Sequence, residues 1–355
     1  MKILVDSLSK RMTVPLIREL KKNNYEVHGI CQKNKRNLSK NKIDKVHFID
    51  LEKKLKDQFE IIFENYSDED ILIFGNPLNI EAVNQLNPNI KHLSPSQDKI
   101  QEVVNKSKLN SIAESLCLKV PKNSTNNYPI IAKLKNSENT NLKPNQRYRI
   151  IKNEKEYVAA KDFIDKNHNN LIFQEYVEGP SYGVSMLMDD NCNMLDYIVH
   201  KRVLEYPITG GPSSLCETVK KEYLVESTKK LLKHLGWKGF AMVEYKDDYL
   251  IEINPRFWGS MPIIFRSNGS FFDNYINYLV GEPLINQNNI PYKLGVKMKY
   301  FPQGLLSVLS LMKTKNWKKG ITGYKNLLIS KEGIFKLRDP KPFIWYLQDL
   351  LRRNL

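Results

Sequence analysis

Over its first 95 residues the chain alternates short apolar runs with amphipathic stretches, and this alternation constrains the fold more than any other feature. Lys2-Ile3-Leu4-Val5-Asp6 reads as a strand. Thr13–Lys22 reads as a helix with Val14, Ile17 and Leu20 on one face. Tyr25–Ile30 and Val46–Ile49 follow as strands, and Ile71–Phe74 as a fourth, ended by Gly75. Strands that alternate with helices imply a parallel sheet covered by helices. The loop after the first strand, Asp6-Ser7-Leu8-Ser9-Lys10-Arg11, contains no glycine. A dinucleotide site needs glycines there so that backbone can approach the pyrophosphate. Residues 1–95 are therefore expected to form a Rossmann-like domain, structural or substrate-facing, without a cofactor of its own.

The pattern then changes. A helix is expected from Ser96 to Leu116, ended by Val120-Pro121. Pro129–Lys133 is a strand that finishes on a lysine, followed by a polar loop from Asn136 to Asn145. Tyr148–Ile151 reads as a returning strand, Glu154–Lys166 as a helix and Leu171–Phe173 as a buried strand. Tyr182–Met188 and Met194–Val203 form an antiparallel pair, and a helix runs from Lys221 to Leu235. Phe240–Tyr245 and Tyr249–Ile253 form a hairpin over Lys246-Asp247-Asp248, with a short helix at Asn274–Val280. The expected fold class is α/β at the start and α+β beyond it. Three units are expected: residues 1–95, residues 96–284, and a basic helical extension over 285–355.

A chain of 355 residues, 41% hydrophobic and 26% charged, can bury two or three packed subdomains. The net charge of +16 could attract polyanions. Its lysines and arginines are scattered, however, and no aromatic-plus-basic motif accompanies them, which argues against nucleic acid. Met1–Arg11 lacks the apolar stretch of a signal peptide, and no run reaches the roughly 20 apolar residues that would span a bilayer. Cys31, Cys117, Cys192 and Cys216 are far apart. They are expected to be reduced and mostly buried in a cytoplasmic protein, without a zinc site. Leu305, Leu306, Val308, Leu309, Leu311 and Met312 lie just ahead of Lys313, Lys315, Lys318 and Lys319. This stretch reads either as a helix packed on the core, the preferred reading, or as a segment lying peripherally on anionic lipid.

Chemistry concentrates between Glu244 and Ser260. Side chains alternate along a strand, so Glu252 and Asn254 share one face while Ile251 and Ile253 take the other. Glu244 lies on the face opposite Ala241 and Val243, and the tight hairpin brings the two strands side by side. Two carboxylates and an amide oxygen can then surround one small volume. These are hard ligands suited to magnesium shared with nucleotide phosphates. Arg256 follows and can hold an anionic acyl or phosphate group. Asn254-Pro255-Arg256-Phe257-Trp258-Gly259-Ser260 is too aromatic for an ordinary exposed turn.

Glu252-Ile253-Asn254-Pro255-Arg256, with Glu244 one strand earlier, resembles the magnesium-binding signature of the ATP-grasp superfamily. Biotin carboxylase and the D-alanine–D-alanine ligases share that signature. The Asn254–Ser260 wording is similar to a bacterial carboxylate–amine ligase-like branch. The resemblance implies a two-lobed ATP-grasp fold over 96–284, with a lid at about 118–175, that uses ATP with Mg2+, or Mn2+. Glu244, Glu252 and Asn254 would be the metal ligands. Lys133 and, more weakly matched, Lys108 would contact the nucleotide phosphates. Gln174-Glu175-Tyr176-Val177 would present backbone to adenine, with Glu178-Gly179-Pro180 as the hinge. Arg202 would sit near the γ-phosphate with His200 beside the nucleotide, although His200 also reads as a hydrogen-bonded strand histidine. Gly210-Gly211-Pro212-Ser213-Ser214 would border the acceptor cleft. The loop after Lys133 lacks the glycines many members carry, so Lys135 would substitute by charge. No ribose contact is assigned, since Ser181 or Tyr182 stands where some members have an acid. Asp339-Pro340-Lys341-Pro342 is similar to the tails of the same branch and reads only as a rigid connection.

The implied activity is ATP-dependent ligation of a small-molecule carboxylate to an amine, or a thiol, through an acyl phosphate, giving ADP and phosphate. Arg256 would steady the oxyanion. A homodimer is common among such proteins. The alternative is a non-catalytic ATP-binding or scaffold protein on the same fold.

Overall fold

The computed structural model describes residues 1–135, 142, 146–285 and 290–354. The chain opens with β1 (Lys2–Val5), α1 (Thr13–Lys22), β2 (Glu26–Gln32), β3 (Lys45–Ile49), α2 (Leu55–Phe63), β4 (Ile71–Ile73) and α3 (Pro77–Leu86). The four strands pair in parallel in the order β3-β2-β1-β4. Ile3, Leu4 and Val5 are buried, as a central parallel strand covered on both faces requires. Ser7 in the glycine-free loop takes a left-handed backbone, φ 65°. Asp6 accepts hydrogen bonds from the Gly75 N–H and the Asn79 amide, which tie this loop to the end of β4.

The helix expected over Ser96–Leu116 is two helices, α4 (Gln97–Val104) and α5 (Lys106–Ser115). Asn105 between them is extended, and its side chain caps α5 by accepting from the N–H groups of Ser107 and Lys108. A short polar side chain favours such a cap over a helix interior. The break resets the helical phase.

A small antiparallel sheet follows, β6-β5-β7, from β5 (Ile130–Leu134), β6 (Tyr148–Ile151) and β7 (Leu171–Glu175). Between β6 and β7 lie α6 (Glu154–Ala159) and α7 (Lys161–Asn167), where one helix was expected. Ile130, Ala132, Leu134, Ile151, Phe163 and Leu171 form a core separate from the main one. A second, seven-stranded sheet runs β12-β11-β8-β9-β10-β13-β14. Its strands are β8 (Ser181–Met188), β9 (Met194–Glu205), β10 (Ser213–Thr218), β11 (Gly239–Lys246), β12 (Tyr249–Asn254), β13 (Lys297–Lys299) and β14 (Lys331–Glu332). α8 (Glu222–His234), α9 (Ile263–Arg266) and α10 (Phe271–Val280) complete this part.

The C-terminal stretch extends the large sheet. β13 pairs with β10, and α11 (Gln303–Lys313) and α12 (Trp317–Ile329) pack together as a hairpin beside β9 and β10. α13 (Lys341–Asn354) returns to the first sheet's unit, where Arg11 and Arg36 contact Tyr346 and Gln348. Asp339, which sequence gave no role beyond a connection, pairs with Arg18 at 2.9 Å. Among the described residues no helix is long and apolar enough to cross a membrane. The four cysteines are unpaired; Cys31 and Cys216 are buried but Cys117 is exposed, so burial is less general than expected.

Asp196 joins β9 to α10, accepting hydrogen bonds from Ser270 and Asn274 at 2.8 and 2.7 Å. Burial outweighs these bonds and pushes its carboxyl from 3.8 up to about 7. The native state then holds a proton that the unfolded chain releases, so this group lowers stability as pH rises from about 4 to about 7. The denaturant midpoint should therefore fall across that window and level off above it, and Asp196→Asn should flatten the decline.

Candidate active site

The hairpin of β11 and β12 turns over Asp247, whose φ of 53° is left-handed and whose N–H donates to Pro180 O. The register sets Glu244 directly opposite Glu252, and Met242 opposite Asn254. The Asn254 amide lies between the two carboxylates, 3.1 Å from Glu244 and 3.5 Å from Glu252. Cations surround the pair. Arg202, reaching over β8 from β9, forms an ion pair with Glu244, and Lys106 Nζ lies 3.8 Å from Glu252. Burial pushes Glu244 up to about 6 against the pull of Arg202. Burial also works against the charge on Glu252, but Lys106, Arg202, Lys133 and Arg256 outweigh it and hold that carboxyl below its ordinary value. Two facing carboxylates with opposed shifts mark a site built for charge. Lys133 is pushed down to about 8 by burial and by Lys106 nearby.

These groups line a cleft of about 470 Å³ between the small sheet and the large one. That volume is within the range of small-molecule sites. Tyr148 on β6 spans the cleft and donates to Thr209 O at 2.6 Å. Gly210, Gly211, Pro212 and Ser213 line the cleft, whereas Ser214 is buried against Ser307 of α11. Ser181, Lys246 and Glu205 form a polar group along one wall.

Residues 103–260 match the family described as ATP-grasp domain. The chain carries an ATP-grasp domain. Its fold is shared with solved structures at low sequence identity. Biotin carboxylase from Campylobacter jejuni, solved as a β,γ-ATP complex, is 17% identical with a TM-score of 0.61, covering 83% of this chain and 74% of that one. The ADP complex of N5-carboxyaminoimidazole ribonucleotide synthetase is 13% identical with a TM-score of 0.66, covering 89% and 84%. L-amino acid ligase from Bacillus licheniformis is 16% identical with a TM-score of 0.56, covering 78% and 74%. No curated protein sequence matches the chain.

Within the ATP-grasp domain, Lys133, Glu175, Tyr176, Val177, Arg202, Glu244, Glu252, Asn254 and Arg256 come together at the cleft. Three expected residues do not. Lys108 is exposed on the outer face of α5, and Lys106 faces the cleft instead. Lys106 shares a buried stripe with Leu109 and Ala113, at i, i+3 and i+7, so helical phase alone distinguishes the two lysines. Gln174 is fully buried, with its amide donating to Pro121 O. The backbone N–H groups of Glu175 and Tyr176 are already bound to Lys122 O and Pro129 O, which leaves Val177, of the stretch expected to meet adenine, as the N–H without such a backbone partner among the described residues. His200 is fully buried behind the cleft, and its Nε2 contacts Ser260 Oγ at 2.8 Å. Burial pushes it down to about 3, so it stays neutral. It supports Ser260 and packs over Gly183, without facing the cleft. Lys135, expected to substitute by charge for the missing glycines, ends the described part of that loop, and Asn136–Asn145 lies almost wholly outside the described residues.

Two glutamates and an asparagine fit a hard divalent cation while leaving coordination sites for phosphate oxygens. Among the described residues no group of three or more His, Cys, Asp or Glu could hold a metal without such help.

A Cβ on Gly183 would fall 2.3 Å from the His200 ring. Gly183→Ala should therefore cost about 1–3 kcal/mol, the usual range for overpacking. Equilibrium denaturation should show the loss, and removing the ring as well, in Gly183→Ala with His200→Ala, should recover part of it.

Proposed function

We propose that this chain is an ATP-dependent ligase that activates a carboxylate as an acyl phosphate and transfers the acyl group to an amine, or a thiol. The observation that carries this reading is the facing pair Glu244–Glu252, bridged by Asn254 and ringed by four cations inside one cleft. A carboxylate oxygen attacks the γ-phosphorus of ATP, and the bond to the bridging oxygen breaks to release ADP. The nucleophile then attacks the acyl carbon and loses its proton, and phosphate departs. Lys106, Lys133 and Arg202 offset the charge that spreads over the transferring phosphoryl oxygens. Arg256 lies at the same cleft and steadies the oxyanion of the tetrahedral intermediate. Backbone at Glu175–Val177 receives the adenine edge. Mg2+, or Mn2+, held by Glu244, Glu252 and Asn254 would neutralise charge on the nucleotide phosphates. The small sheet covers the cleft and keeps water from the acyl phosphate, with Tyr148 closing on Thr209.

ADP and phosphate release from Mg-ATP is the test, with pooled carboxylates crossed against pooled amines and thiols. Release should require both pools and should vanish in the Glu252→Ala, Asn254→Ala double variant. Mg-ATP binding without release under any pair of pools would favour the scaffold alternative. No Mg-ATP binding would sink both.

The two lysines of α5 provide a sharper check. Lys106→Ala should weaken Mg-ATP binding tenfold or more, about 1.4 kcal/mol. Lys108→Ala, on the outer face, should stay within about twofold, since an exposed charge that does not line the cleft is screened by solvent. Calorimetric titration separates the two, and equal effects would refute the assignment of Lys106.

A further inference from the structure

The hairpin of α11 and α12 has an outward face that the proposed chemistry does not use. α12 packs inward through Gly320, Gly323 and Leu327; a Cβ on either glycine would meet Met312, or Leu204 and Val308. Trp317, Ile321, Tyr324 and Leu328 lie elsewhere on the same helix, at i, i+4, i+7 and i+11. At 100° per residue they fall within about 60° of arc, a single stripe. Yet they are 58%, 50%, 47% and 66% exposed. A helix that rests on a core hides its apolar stripe. Here the regular stripe faces solvent, and small residues make the inward contact. α11 adds Leu305, Leu306 and Leu309, also exposed.

The charge carried by the hairpin itself has one sign. From Pro283 to Lys331 the chain has nine lysines and no aspartate or glutamate. Five belong to the hairpin: Lys313, Lys315, Lys318, Lys319 and Lys325, all exposed. Lys318 and Lys325 flank the Trp317–Leu328 stripe on the side away from the buried contacts.

We propose that this hairpin docks on an anionic lipid surface. The apolar stripe enters the boundary between headgroups and acyl chains, Trp317 sits at headgroup level, and the lysines meet lipid phosphates. Charge selects this occupant over others. A second copy docked face to face through the same hairpin would set five lysines against five with no carboxylate from either hairpin between them. Nucleic acid would satisfy the lysines but leave the apolar stripe in water. An anionic membrane satisfies both. The face is separate from the ATP cleft, so the inference does not depend on the ligase reading.

Co-sedimentation of the full chain with phosphatidylcholine–phosphatidylglycerol vesicles, against pure phosphatidylcholine vesicles, tests it at low and high salt. Binding is expected to the anionic vesicles only, and to weaken as salt rises. Of the four tryptophans only Trp317 is exposed, so vesicles should shift its emission to the blue. The variant Trp317→Ser, Ile321→Ser, Leu328→Ser should lose binding about tenfold or more. The variant Lys318→Glu, Lys319→Glu, Lys325→Glu should do the same. Both should keep the parent's thermal midpoint and oligomeric state, because every substituted side chain faces solvent. Absence of binding to anionic vesicles overturns the proposal. So does binding that survives both variants, which would assign it to the net charge of +16 elsewhere. A dimer that requires Trp317 without lipid overturns it as well. Salt-sensitive binding to duplex DNA without vesicle binding, lost only in the lysine variant, would assign the face to nucleic acid.

Discussion

Two glutamates held face to face across one antiparallel register are the constraint around which this molecule is arranged. Like charges so close, and out of bulk water, are costly unless opposite charge comes to them. It comes from three directions: Arg202 from β9, Lys106 from the first turn of α5, and Lys133 from the small sheet. Each cation belongs to a different part of the chain. The carboxylate pair therefore also sets how helix, small sheet and large sheet stand around the cleft. The opposed shifts of the two carboxyls express this asymmetry: burial dominates at Glu244, the ring of cations at Glu252.

The layers behind the cleft are built to hold that arrangement. Gly183 leaves the space that the His200 ring fills, and the ring supports Ser260. Phe257, in the same segment as Arg256, packs so closely on Gly75 that a Cβ there would lie 2.6 Å from its ring. Phe257 thus anchors the site to the end of β4 in the first sheet's unit. The last seventy residues act similarly. β13 lengthens the large sheet, Ser307 of α11 meets Ser214, and Arg18 joins Asp339. Arg11 stacks on Tyr300 with its guanidinium 3.5 Å from the ring centre. These contacts leave the outer face of the α11–α12 hairpin exposed.

Much of the site was legible because strand period and hairpin length are local properties. A period of two placed Glu252 and Asn254 together, and the tight hairpin over Lys246-Asp247-Asp248 brought the strand of Glu244 beside them, whereas the bulge between Glu244 and Tyr245 that sets Glu244 opposite Glu252 follows from no local pattern. The parallel start and the glycine-free loop after β1 were legible for the same reason. Lys106 was legible in principle, from its phase with Leu109 and Ala113, but a helix drawn unbroken through Asn105 hides that phase. Gln174 and His200 show a different limit. Alternation gives a strand two faces, and only the surrounding layers decide which face meets a cleft and which meets another wall.

Most of the strands, the hairpin and the candidate side chains on it could be read from the sequence, since these follow from short-range periodicity and turn chemistry, but β10, β13 and β14 could not. It took packing to show that Lys106 faces the carboxylates, that His200 lies behind them, and that the apolar stripe of α12 faces outward. Each of these depends on which surfaces pack together across long stretches of chain. Burial and electrostatics act there between residues that no local pattern connects.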